Sequence, residues 1–230
     1  MKTKTIIIPC FNEVRSIGII LERVKKNINT NDNIIIVDDG SNDGTREFLK
    51  SIDEKNIIIK FHESNSGKGE AIKTALNNKL NEIIIIQDAD LEYNPSDYNL
   101  LIKPYMETDA DIVYGSRFIG TNNYVRVHLF WHYLANKILT FICNIFTNLN
   151  MTDMETGYKS FKRESITSIN LEEKSFGIEP EITIKLAKKK YKFYEVPISY
   201  AGRAYDEGKK IGLKDAFRAI YCIFRYSLFK

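Results

Sequence analysis

The chain has 230 residues, of which 43% are hydrophobic and 27% charged; that globular composition excludes a disordered or collagen-like protein and suffices for one large domain with a real core. The formal net charge of +3 hides a gradient, because residues 1–184 carry 21 Lys and Arg against 26 Asp and Glu, whereas residues 185–230 carry 12 against 4. An anionic partner, phosphate groups or a membrane surface, is therefore expected near the C-terminal end, although Lys188, Lys189 and Lys190 taken singly read as a solvated helix face.

In chain order, residues 5–8, 34–37, 57–61, 83–86 and 112–114 are short β-branched runs, most of them without polar alternation. Such strands belong to a sheet covered by helices on both faces. Helices are expected between them: residues 13–27, with Val14, Ile17, Leu21 and Val24 on one face, residues 43–52 behind an N-cap-like Asn42, and residues 68–79 behind Ser66-Gly67. The repeated βα pattern predicts an α/β fold with a mostly parallel open sheet, in which ligands bind at the carboxyl ends of strands.

From residue 126 the character changes. Residues 126–149 mix aromatic and aliphatic residues with Arg126, His128, His132 and Lys137, too polar to span a bilayer and too apolar for an ordinary surface helix; one or two helices in a membrane interface, or packed on the C-terminal helix, are expected. Residues 213–229 form a further amphipathic helix, with Leu213, Phe217, Ile220, Tyr221 and Phe224 as its apolar positions. The chain thus divides into a ligand-binding part, 1–125, and an acceptor-binding part, 126–230, of one catalytic domain.

Cys10, Cys143 and Cys222 lack CxxC spacing and read as reduced, packed thiols. A strand that starts within a few residues leaves no room for a signal peptide, and no run of about 18 uncharged apolar residues occurs. The expected location is the cytoplasm, with peripheral contact on the cytosolic face of a membrane; nucleic acid is not an expected partner.

The chemistry gathers in the predicted strand-end loops. Asp88-Ala89-Asp90 follows a buried isoleucine run, where two carboxylates can converge on one hard cation, Mg²⁺ or Mn²⁺, that shares its shell with substrate phosphates; Glu92 is a plausible third ligand. Such a triplet is weak by itself and gains weight from its position. Asp38-Asp39 can accept hydrogen bonds from a base or ribose, or can simply cap a turn. Gly67-Lys68-Gly69 opens a helix, where exposed N–H groups and one lysine favour phosphate, or serve as a cap; the Walker A spacing is missing.

In this order and spacing, PCFNE, VDDGSNDGT, NSGKGEAI, QDADLEYNP and YGSRF resemble family 2 glycosyltransferases with the GT-A fold. TDMETGYKSF, GIEPEITIKLAKKKYKFYEVPISY and GRAYDEGKKIG resemble the dolichyl- and polyprenyl-phosphate sugar synthases within that family. The resemblance, over roughly residues 4–225, implies base and ribose contacts at Pro9, Phe11, Glu13, Val37 and Asp39. It implies donor phosphate contacts at Asp88, Ala89, Asp90, Arg117, Arg203 and Lys209, to which the residue chemistry at the helix start adds Lys68. Asp88, Asp90 and Glu92 become the metal ligands, although some relatives carry Gln at the last position, and Asp90, Arg117 and Arg203 the catalytic residues. Asp153 and Glu155 would orient sugar hydroxyls or Arg117, or cap a turn, and His132 and Arg126 would touch the acceptor phosphate or anchor the interface. The implied reaction moves mannose or glucose, with inversion, from GDP-mannose or UDP-glucose to a polyprenyl or dolichyl phosphate. A soluble glycan or cell-surface polysaccharide acceptor is the alternative. A nucleotidyltransferase fits less well, because no Gly-rich, Arg-bearing loop stands in the first twenty residues.

Overall fold

The structure, a computed structural model, describes residues 2–120, 129–202 and 213–229. One sheet of seven strands runs through it: β1 (Lys4–Cys10), β2 (Asn33–Asp38), β3 (Ile57–Phe61), β4 (Ile83–Ile86), β5 (Ile112–Ser116), β6 (Lys159–Lys162) and β7 (Phe193–Pro197), in the spatial order β3-β2-β1-β4-β6-β5-β7. The pairs β1–β2, β1–β4, β2–β3 and β5–β7 are parallel, and β6 runs antiparallel between β4 and β5. This is the mostly parallel α/β sheet expected from the sequence.

The isoleucine runs are explained by the two-residue period of a strand. Ile6, Ile8, Ile34, Ile36, Ile83 and Ile85 enter one core, with α1 (Ile17–Lys25), α2 (Thr45–Lys50) and α4 (Tyr98–Glu107). Ile7, Ile35, Ile84 and Ile86 enter the other, beneath α3 (Lys68–Leu76), α5 (Phe130–Thr147), α6 (Arg163–Thr167), α7 (Ile178–Lys188) and α8 (Leu213–Leu228). With both faces apolar, a one-residue slip would bury as much, so the pattern cannot fix the register. Polar lacing at the N-terminal edge does. Lys4 N–H donates to Asp32 Oδ1 at 2.7 Å and its ammonium sits 2.8 Å from Asp32 Oδ2; Asn81 Nδ2 donates to Lys4 O at 2.8 Å and its N–H to Thr5 Oγ1 at 2.8 Å. Locking that edge aligns the loops at the opposite one.

Several element boundaries differ from the sequence reading. Residues 13–16 form a turn, with Ser16 and Ile17 N–H on Glu13 O, so α1 starts at Ile17 and Val14 is exposed. The N-cap of α2 is Gly44, at φ 100°, and not Asn42; the preceding Asp43 accepts Thr45 N–H on Oδ1 at 3.0 Å. Residues 130–147 form a single helix. The expected apolar stripe of α8 is mostly on the outside. Phe217, Tyr221 and Phe224 are exposed, and Ala219, Cys222, Ile223 and Tyr226 face the core. The three cysteines are buried and form no disulfide. Among the described residues no helix is long and apolar enough to cross a membrane.

Candidate active site

The carboxyl ends of β1, β2, β3, β4, β5 and β7 share one edge of the sheet, and their loops are stitched together. Asn12 N–H donates to Ser41 Oγ at 2.9 Å and Glu13 N–H to Thr45 Oγ1 at 2.9 Å, tying the Pro9–Phe11–Glu13 stretch to the loop that follows Val37 and β2. Gly40, at φ +77°, packs against backbone, and a Cβ there would stand 2.6 Å from the Ser64 carbonyl carbon; no other residue fits that turn. Asp39 brackets the next loop: Ser66 N–H and the His62 ring meet Oδ1 at 2.9 and 2.7 Å, and Gly67 N–H meets Oδ2 at 2.7 Å. Asp38 likewise holds Arg46 Nε at 2.7 Å.

At the start of α3, Gly67 N–H is on Asp39 and Glu70 N–H donates to Lys174 O at 3.1 Å. Gly69 is pressed so close that a Cβ would lie 2.3 Å from Glu173 O. Lys68 instead reaches back into the site, 2.8 Å from Asp88 Oδ1 and 3.1 Å from Glu179 Oε1. Lys159, fully buried on β6, approaches the other Glu179 oxygen at 2.5 Å. Burial works against the Lys68 charge, yet Asp88 and Glu179 outweigh it and hold the ammonium above its ordinary pKa.

Asp88, Ala89 and Asp90 leave β4 beside a buried Gln87 whose Oε1 accepts both Tyr98 and Tyr158 hydroxyls at 3.0 Å. Asp90 Oδ1 accepts Glu92 N–H at 3.1 Å, and Glu92 Oε2 accepts the Tyr200 hydroxyl at 2.8 Å. Asp88, Asp90 and Glu92 are thus not gathered as a three-carboxylate cage, and among the described residues no group of three His, Cys, Asp or Glu is poised around a cation. Glu92 is turned to Tyr200 and Asp88 to Lys68. The donor chemistry still suits Mg²⁺ or Mn²⁺, which bind through one or two carboxylates and complete their shell with phosphate oxygens and water.

Arg117 follows β5. Its Nε and Nη2 form a fork with Asp153 Oδ2 and Oδ1, both at 2.7 Å, and its own N–H adds a bond to Oδ2 at 3.0 Å. The guanidinium lies 5.1 Å from the Tyr200 ring centroid and 5.5 Å from that of Phe118. Burial disfavours the charge, and Asp153 more than offsets it, so Arg117 is cationic at any working pH. Two residues past Asp153, the Glu155 carboxyl has one oxygen, Oε1, buried without a hydrogen-bond partner. Burial first, then the nearby Glu179 charge, push its pKa up to about 7. Arg203, Lys209 and Arg126 lie outside the described residues, and His132 lies on α5.

Lys159, Glu179, Tyr200 and Glu195 were not singled out by sequence reasoning. A lysine in a strand and a glutamate in the first turn of a helix carry no periodic signal; it is the antiparallel insertion of β6 that places Lys159 beneath Glu179.

The family model for glycosyl transferase family 2 matches residues 5–169. The chain belongs to that family. Among curated relatives of this glycosyltransferase, the UDP-N-acetylglucosamine–dolichyl-phosphate N-acetylglucosaminyltransferase of Methanococcus voltae is 28% identical, the match covering 94% of this chain and 92% of that one. The undecaprenyl-phosphate mannosyltransferase of Micrococcus luteus is 25% identical over 90% of this chain and 86% of its own length. The fold matches that of glucosyl-3-phosphoglycerate synthase from Mycobacterium tuberculosis, solved with Mn²⁺, UDP and glucosyl-3-phosphoglycerate. That match has a TM-score of 0.75 and 17% identity, and it covers 98% of this chain and 80% of that one. The GT-A expectation therefore holds.

Proposed function

We propose that this glycosyltransferase moves a hexose from a nucleotide-sugar to the phosphate of a polyprenyl or dolichyl lipid, with inversion and with Mg²⁺ or Mn²⁺ bound by Asp88 and Asp90. The observation that carries the reading is the course of one surface. Arg117 leans on Phe118, Phe118 packs edge-on against Tyr133 of α5 at 5.2 Å, and from there α5 presents Phe130, Trp131, Ile138, Phe141 and Ile145 to solvent. A fixed cation at the head of an apolar face suits a phosphate on a hydrophobic tail, and the names of both relatives include a lipid phosphate.

The residues divide the work. Pro9, Phe11, Glu13 and Val37 line the base and ribose side, with Asp39 shaping the adjoining loop. A divalent cation, when bound, supplies charge neutralisation for the departing diphosphate. Asp90 and Asp88 hold that end of the donor, and Lys68, freed from Asp88, faces the same phosphates. Arg117 screens the repulsion between donor diphosphate and acceptor phosphate, with Arg203 and Lys209 in the same role. The acceptor is already an anion, so no base is needed to make it nucleophilic, and alignment for a single in-line displacement is the main task.

The exposed faces of α5 and α8, joined by Phe146 against Phe224 at 5.1 Å, form the surface proposed to rest on the cytosolic face of a membrane. Purified protein with GDP-mannose or UDP-glucose, Mn²⁺ and a polyprenyl phosphate should release nucleoside diphosphate, and a chelator should stop it. Release with soluble glycan acceptors but not with the lipid phosphate would overturn the acceptor assignment.

A further inference from the structure

Arg117 is aimed by Asp153, and Asp153 sits in a stretch without regular structure between α5 and β6. Something must hold that stretch. Glu195, on β7, pairs in register with Tyr114, and two residues on Pro197 pairs with Ser116, the residue before Arg117. The Glu195 carboxylate accepts Thr152 N–H at 2.8 Å through Oε2, and Asp153 N–H at 3.1 Å and the Thr152 hydroxyl at 3.2 Å through Oε1. Ser116 Oγ and Thr152 Oγ1 are 2.6 Å apart. From the other side α5 closes the clamp: Lys137 Nζ donates to Thr152 O at 3.2 Å, Met154 N–H to Thr140 Oγ1 at 3.0 Å, and Asn144 exchanges bonds with both backbone groups of Met151.

We propose that Glu195 is a positioning residue for sugar transfer, fixing the Thr152–Asp153 peptide so that Asp153 presents Arg117 to the reacting phosphates. Two successive backbone N–H groups on one carboxylate define both the place and the tilt of a peptide, which a single bond cannot do. The Asp153 side chain leaves that peptide and ends in a fork whose two 2.7 Å bonds tolerate little rotation. Burial raises the pKa of the Glu195 carboxyl, and the backbone bonds from Thr152 and Asp153 act against that rise by favouring the carboxylate.

The inference rests on the proposed role of Arg117, and a double-mutant cycle separates the two. Initial rates of nucleoside diphosphate release are measured with polyprenyl phosphate and whichever of GDP-mannose and UDP-glucose is turned over. The proteins are the full chain, Glu195→Ala, Glu195→Gln, Arg117→Ala and the double variant Arg117→Ala with Glu195→Ala, each with a thermal melt. Glu195→Ala should lower kcat about tenfold or more, since misplacement on the order of 1 Å costs that much or more, while donor KM stays within about threefold. Glu195→Gln, which keeps one acceptor oxygen, should fall between. The double variant should be no slower than Arg117→Ala, because the glutamate acts through the arginine. Losses that multiply in the double variant, or a kcat loss that merely follows the unfolded fraction, overturn the role of Glu195 and leave that of Arg117 standing. Arg117→Ala at the unmutated rate overturns both. Should Glu195→Ala fail to fold, Glu195→Gln takes its place in the cycle with the same criteria.

Discussion

Gly157 lies against the carboxylate of Asp88: a Cβ on the glycine would stand 2.3 Å from Asp88 Oδ2. The segment that begins at Asp153 on Arg117 therefore passes, four residues later, directly beneath the acidic loop after β4. The cationic and acidic halves of the site share one stretch of backbone.

That contact gives the first prediction. Gly157→Ala must push Asp88 aside or move the Gly157 backbone, whose N–H accepts no slack because it donates to the Tyr93 hydroxyl at 2.8 Å. The variant should stay folded and bind Mn²⁺ and donor more weakly, by about tenfold or more if the Asp88 carboxylate shifts by about 1 Å. Calorimetric titration of Mn²⁺ with UDP or GDP checks it; unchanged affinity would remove Asp88 from the proposed cation site.

Asp153 supports a second. Its side chain is fully buried and the Arg117 side chain is 10% exposed. Asp153→Asn leaves a buried guanidinium without its counter-charge, at a cost of about 3 kcal/mol or more, or a fall in Tm of roughly 6–12 °C for a chain of this size. Activity should fall with it in the folded protein, because the fork no longer orients Arg117. A thermal melt paired with kcat at low temperature distinguishes the two effects.

Glu155 predicts a pH dependence of stability. Its carboxyl is raised from 4.5 to about 7 in the folded protein, so between these values the folded state binds a proton that the unfolded state does not. Its penalty is absent below about pH 4.5, grows as pH rises to about 7 and is constant above, reaching on the order of 3 kcal/mol. Glu155→Gln removes the titration, so the variant should gain stability over the parent from pH 5 to pH 8. Melting both proteins across that range checks it, and parallel curves would contradict the burial of this carboxyl.

Trp131 tests the membrane surface. It is the one tryptophan of the chain and is 75% exposed on α5, so its fluorescence should shift to the blue when anionic vesicles are added. Phe141→Asp, on the same exposed face, forfeits about 2 kcal/mol of apolar burial and should weaken vesicle binding by about tenfold or more in co-sedimentation. Emission that ignores vesicles would leave the α5 face without its proposed occupant.

Much was legible in the sequence because it depends on local pattern. Runs of isoleucine dictate strands buried on two faces, and Gly- and Asp-rich stretches after each run mark the loops that end at one edge, so the fold class, the first five strands and the position of Asp88-Ala89-Asp90 follow from residue order. Tertiary structure decided what local pattern cannot carry. β6 inserts antiparallel between β4 and β5, and this brings Lys159 under Glu179, Glu179 to Lys68 and Lys68 to Asp88, joining residues up to 111 positions apart. Partner choice among buried charges depends on distances of about 3 Å between distant segments, which is why Glu92 on Tyr200, Asp39 on the loop before α3, and Glu195 behind Asp153 emerge from the packed sheet and not from any motif.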